Sequence, residues 1–220
     1  MSTPVSQLTI PFAGAVSYAA EDFIVGGANC HAVDVLDRFP NWPEPVLALY
    51  GPKASGKTHL AQRTAQLHGG LCVQDELGSV DAATLAERAP LLVVDGWRDE
   101  AALAQLINHC RAERHCLLVT MEDAPARVKV TLPDLHSRLS AMVALELTAP
   151  DESLLSALLS KHFADRQIRV APEVITYIVA RMERSYASAH HAAAWLDSKA
   201  LESGRAITLP LAREWVAHAL

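Results

Sequence analysis

Gly51-Pro52-Lys53-Ala54-Ser55-Gly56-Lys57-Thr58 is the stretch that most restricts what this chain can fold into. It satisfies the phosphate-binding pattern G-x-x-x-x-G-K-[ST], follows the apolar run Val46-Leu47-Ala48-Leu49-Tyr50 and opens into the helix-like His59-Leu60-Ala61-Gln62-Arg63. Glycine lets backbone wrap close to an anion, and successive N–H groups with the following helix N-terminus direct positive dipole at it. Lys57 adds a point charge, and the Thr58 hydroxyl can ligate Mg²⁺. The competing reading, a Gly-rich turn with a chance Lys-Thr, leaves both flanks unexplained. The stretch predicts a strand–loop–helix unit holding a nucleotide.

The rest of the chain extends this unit. Apolar strands are expected at 46–50, 71–74, 91–94, 116–120 and 142–147, with helices at 29–38, 82–88, 99–112 and 133–139 between them. Asn29 stands where it could cap the first helix. Strands that are continuous apolar runs, alternating with helices, imply an α/β fold with a five-stranded parallel sheet flanked by helices on both faces. Past Pro150 the pattern changes to helices alone, opened by Asp151-Glu152-Ser153, Pro172-Glu173, Ser185 and Pro210. The expected organisation is a tail over 1–20, a nucleotide-binding domain over 21–149 and an all-α unit over 150–220.

A length of 220 residues suits one large core plus a small second unit. The net charge of -6 argues against a large electrostatic footprint on DNA or an anionic membrane, so DNA contact is expected only through partners. Cys30, Cys72, Cys110 and Cys116 form no C-x-x-C pair and read as buried reduced thiols. The ten His show no ligand spacing. With no targeting segment and no membrane-length apolar run, a cytoplasmic protein is expected.

Asp95, ending the 91–94 run, has the form of a carboxylate aimed at Mg²⁺ from a neighbouring strand. Gly96 follows it. Asp99 and Glu100 fit the first turn of the next helix, which favours acids. Thr120 has two readings: a polar group directed at the γ-phosphate or its water, or a strand-end Thr of good β propensity. In the tail, Gln7, Leu8, Ile10, Pro11 and Phe12 form an extended patch with apolar residues on one side, which needs either a partner or its own domain to cover it.

Taken together these elements resemble an AAA+ module of the DnaA-related Hda family. The resemblance implies that residues 150–220 are the helical lid, that Gly51 to Thr58 is Walker A and that Asp95 is Walker B. It implies that Phe23, Ile24 and Val25 lie beside adenine and that Thr120 is sensor 1. Arg138, within Leu135-His136-Ser137-Arg138-Leu139, becomes an arginine finger offered in trans, and Gln7 to Phe12 a sliding-clamp docking peptide. Two positions depart from the family pattern. Gly96 stands where a second acid polarises the attacking water, and Ala187 where a lid arginine reaches the phosphates; Arg184, one turn earlier, is the candidate substitute. The family function implied is regulation of replication initiation. The protein would hold ADP or ATP with Mg²⁺, bind the DNA polymerase sliding clamp at the replisome, and promote hydrolysis of ATP on DnaA, with little turnover of its own. Homo-oligomers are compatible with this. The chain also ends soon after the lid, which on the resemblance leaves no space for DnaA's DNA-binding domain. Two alternatives stay open: a P-loop ATPase or phosphotransferase acting on its own substrate, and a helicase-loader-like AAA+ protein.

Overall fold

The computed structural model describes residues 23–73 and 77–219. The peptide Gln7 to Phe12 and Gln74 lie outside the described residues.

Five parallel strands form one sheet: β1 (Val46–Tyr50), β2 (Leu71–Cys72), β3 (Leu91–Asp95), β4 (Cys116–Met121) and β5 (Val143–Glu146), in the order β2-β3-β4-β1-β5. Side chains alternate across the sheet because strand residues point to opposite faces in turn. Val46, Ala48, Leu92, Val94, Leu117 and Val119 bury on one face, and Leu47, Leu49, Leu91, Val93, Cys116 and Leu118 on the other. Both faces are covered, so the central strands have no polar side and read as unbroken apolar runs.

The second face is covered by α1 (Cys30–Leu36) and α2 (Lys57–His68). The first is covered by α3 (Ala82–Glu87), α4 (Glu100–Ala112) and α5 (Pro133–Ser140). A 3₁₀ turn, Pro125–Arg127, leads from β4 towards α5. Asp81 and Asp99 cap α3 and α4 by accepting from Thr84 N and Ala102 N. For Asp99 this is the helix-start role expected from sequence.

Four further helices make a separate apolar cluster: α6 (Glu152–Asp165), α7 (Pro172–Val179), α8 (Tyr186–Ser203) and α9 (Leu209–Ala219). Ala189, Ala192, Ala193 and Ala200 form a small-residue stripe on α8, which packs against α6. Among the described residues no helix is long and apolar enough to cross a membrane.

Two expectations change. Cys110 and Cys116 are buried, with burial pushing the Cys110 thiol up to about 12, but Cys30 and Cys72 are exposed. Asn29 sits at the start of α1 but spends its side chain elsewhere, on the segment before it and on the helical unit.

Candidate functional site

The loop after β1 emerges at the carboxyl edge of the sheet, where ligands of open α/β folds gather. Gly51 is required there by close approach: a Cβ would lie 2.2 Å from the Leu147 carbonyl oxygen. Gly56, with φ of 91°, ends the loop in a left-handed conformation that non-glycine residues rarely adopt. Ala54 nonetheless adopts φ of 57°, a strained backbone of the kind found at ligand sites.

Polar groups converge on this loop. Lys57 Nζ donates to the carbonyls of Gly51 at 2.8 Å and Pro52 at 2.7 Å. Burial lowers the Lys57 pKa, while Glu122 and Asp95 act to raise it. The Ser55 hydroxyl is buried, with no hydrogen-bond partner among the described residues. An orphaned hydroxyl, a lysine held on loop carbonyls and a glycine cradle that a Cβ would fill are the features a phosphate group would satisfy. The residues present therefore fit a nucleotide. Thr58, half-buried in the first turn of α2, and Asp95 are the groups that would face its Mg²⁺. Lys53 is exposed and pairs with Glu122 at 3.7 Å.

Parallel register sets Leu49 of β1, Thr120 of β4 and Asp95 of β3 abreast. Thr120 Oγ1 donates to Asp95 Oδ1 at 2.5 Å. Neither sequence reading of Thr120 anticipated this bond, which commits the hydroxyl proton to the carboxylate and orients it. Gly96 follows with φ of 80° and open space around its Cβ position. An acid would find room there, but in a strained backbone.

The predicted adenine segment divides. Phe23 is buried in the sheet-side core, edge-on to His59 at 5.1 Å with the Arg63 guanidinium over its ring. Its ring is a packing group here. Ile24 packs against the helical unit, and Val25 is 51% exposed. Arg184 also departs from expectation: its guanidinium pairs with Glu152 of α6 at 2.8 Å on the exposed surface, instead of being directed at the loop. Arg138, on α5, is paired with Asp134 at 2.8 Å.

Tyr186 escaped the sequence reading of this site. Tyr186, the first residue of α8, donates its N–H to the Ala54 carbonyl at 3.3 Å, and its ring lies 3.3 Å from where a Gly56 Cβ would stand. Its hydroxyl accepts from Asn29 Nδ2 at 3.1 Å, and the same amide donates to the Ile24 carbonyl at 3.0 Å. Asn29 Oδ1 accepts from Gly26 N at 2.8 Å. One tyrosine thus ties the helical unit to the P-loop and to the segment before α1. Its place beside Ala187 was the only available signal. Replacing Tyr186 by Phe should cost about 1 kcal/mol, the worth of one hydrogen bond, and replacing it by Ala about 3 kcal/mol with the ring contact gone. Thermal unfolding of the two variants checks the order.

Residues 151–216 match the family model described as the Hda lid domain. The fold is similar to domain III of the replication initiation protein DnaA from Thermotoga maritima, with a TM-score of 0.76 at 17% identity, over 92% of this chain and 96% of that one. Residues 151–216 are thus similar to the Hda lid, on a chain with the fold of DnaA domain III. AMPPCP-bound DnaA from Aquifex aeolicus gives a TM-score of 0.69 at 18% identity, covering 84% of this chain and 66% of that one. The Thermotoga maritima RuvB Holliday junction branch migration motor gives 0.66 at 15%, covering 90% and 70%. An uncharacterized Haemophilus influenzae protein is 25% identical over 227 residues, 94% of this chain and 97% of its own length. The five-stranded parallel sheet with its helical unit thus shares the fold of these DnaA and RuvB structures.

Proposed function

We propose that this chain is a cytoplasmic regulator of chromosomal replication initiation. It holds ADP or ATP with Mg²⁺ at its own P-loop, docks on the DNA polymerase sliding clamp through Gln7, Leu8, Ile10, Pro11 and Phe12, and offers Arg138 in trans to ATP bound on DnaA. The match of residues 151–216 to the Hda lid carries this reading. The site's own chemistry is in keeping with it.

Within that reading the division of labour follows from the side chains. The loop N–H groups, Ser55 and Lys57 hold phosphates; Thr58 and Asp95 hold the metal; Thr120 keeps the Asp95 carboxylate turned to its task. The nucleotide, when bound, would supply the negative charge that these groups are placed to hold. Gly96 brings no base to a water, and Arg184 is engaged by Glu152, so the site retains nucleotide far better than it hydrolyses it. Tyr186 bridges loop and lid, so whatever fills the P-loop also sets the lid's angle. The division proposed is a tail over 1–20, a base domain over 21–149 and a lid over 150–220.

The clamp arm has its own test. Substituting Gln7 and Phe12 by Ala should abolish co-elution with the clamp on gel filtration while nucleotide content is unchanged; undiminished co-elution would refute the docking peptide.

A second reading, an ATPase acting on its own account, draws on Glu122. This carboxylate lies just past β4, acts on Lys57 and pairs with Lys53, so an acid does stand near the loop although Gly96 is not one. Substantial ATP turnover by the chain alone, lost in Glu122→Gln, would favour it.

A further inference from the structure

Helix α5 carries Arg138 but lacks the means to hold its own ends. It has eight residues, too few to be stable without tertiary support. Its N-cap is Leu132, which has no polar side chain to offer, and Pro133 after it has no N–H. At the other end the Met142 N–H goes to the Leu139 carbonyl, which leaves the Arg138 carbonyl without that helical donor.

Both ends are completed by α4. Glu100, in the first turn of α4, accepts from Thr131 N at 2.9 Å through each carboxylate oxygen, from Thr131 Oγ1 at 2.8 Å and from Leu132 N at 2.8 Å. These bonds, led by that from the Thr131 backbone, hold its carboxyl below the usual range. Arg111, in the last turn of α4, donates to the Arg138 carbonyl at 3.3 Å. The buried Leu103, Ile107, Leu135 and Leu139 join one apolar cluster, so the two helices pack as a pair. Asp134 then holds the Arg138 side chain from within α5.

We infer that α4 is a bracket that sets the position of Arg138, with Glu100 and Arg111 as its two positioning residues. This rests on Arg138 acting as the finger in trans. Because α4 starts just past Asp95, the helix that holds the finger is anchored at the edge of the nucleotide site.

Placement of a catalytic group is worth much: an error of about 1 Å can cost about 100-fold in rate. In assays with the full chain, clamp loaded on DNA and DnaA carrying ATP, Glu100→Ala and Arg111→Ala should each lower the saturating stimulated rate by about 10- to 100-fold. The half-saturating DnaA concentration should change little, because the docking surface is intact. Glu100→Gln and Arg111→Lys, which keep an acceptor and a donor, should restore part of the rate; if the Ala variants do not fold, this pair carries the test through its smaller losses.

Unchanged saturating rates in all four single variants, with Arg138→Ala inactive, would overturn the bracket alone. So would losses in Glu100→Ala and Arg111→Ala that appear only in the half-saturating DnaA concentration, because docking and not placement of Arg138 would then have changed. Full stimulation by Arg138→Ala would overturn the finger and the bracket with it.

Discussion

Arg138→Ala should abolish the stimulation of ATP hydrolysis on DnaA while leaving this chain's nucleotide content and clamp association unchanged. An arginine supplied in trans to a triphosphate raises hydrolysis by about 10³- to 10⁵-fold, or about 4 to 7 kcal/mol of transition-state stabilisation. The competing demand on Arg138 is its pair with Asp134, in which the side chains are 26% and 65% exposed. A pair whose carboxylate lies mostly in solvent contributes only about 0 to 1 kcal/mol, so releasing the guanidinium to a partner's phosphates costs far less than it gains. Arg138→Lys should recover little, because an ammonium cannot reproduce the planar fork. Single-turnover hydrolysis of labelled ATP pre-bound to DnaA measures the effect, and stimulation within a few-fold of the unmodified protein would rule out the finger.

Gly51→Ala should be among the most damaging changes at the nucleotide site. The added Cβ would fall 2.2 Å from the Leu147 carbonyl oxygen and 3.0 Å from Ser55 Oγ. The first neighbour is backbone just past β5, which cannot swing aside as a flexible side chain would. Overpacking of this type costs about 1 to 3 kcal/mol and at times more. For a chain of this size, that lowers Tm by about 2 to 4 °C per kcal/mol. The displaced loop would also lose its grip on phosphate. Gly96→Ala is the internal control: its φ of 80° is strained for Ala but its Cβ position is open, so about 1 to 2 kcal/mol is lost and nucleotide is retained. Thermal unfolding with and without added ADP reads both effects. Equal Tm values for Gly51→Ala and the unmodified chain would show that the loop yields where this geometry says it cannot.

Much of the architecture was legible in the chain. The runs ending at Tyr50, Asp95 and Thr120 carry a buried-strand signature, because a sheet covered on both faces leaves no polar side, and they were placed to within a residue or two. Helix starts at Asp99, Asp151, Pro172 and Ser185 were legible because a cap needs a particular side chain at a particular place. Less was legible where one residue type serves several roles. Asn29 had the identity and position of a cap, yet its amide bonds to Tyr186 far along the chain. Phe23 was legible only as part of a segment, and that its ring joins the sheet-side core is a tertiary fact. Arg184 was the candidate for reaching phosphates, and the structure pairs its guanidinium with Glu152. Cys30 and Cys72 resembled core residues by type alone.

By itself the sequence determined the phosphate loop, the alternation of strands and helices, the change to an all-helical unit after Pro150, and the absence of an acid at position 96. Each is carried by residue identity or short-range periodicity, which the backbone obeys locally. Only the tertiary structure decided that Thr120 orients Asp95, that Tyr186 closes the lid onto the loop, and that Glu100 and Arg111 complete the helix bearing Arg138. These contacts join residues far apart in the chain. Their partners are chosen by which strands pair and which helices pack, and the identity of either residue alone does not contain that choice.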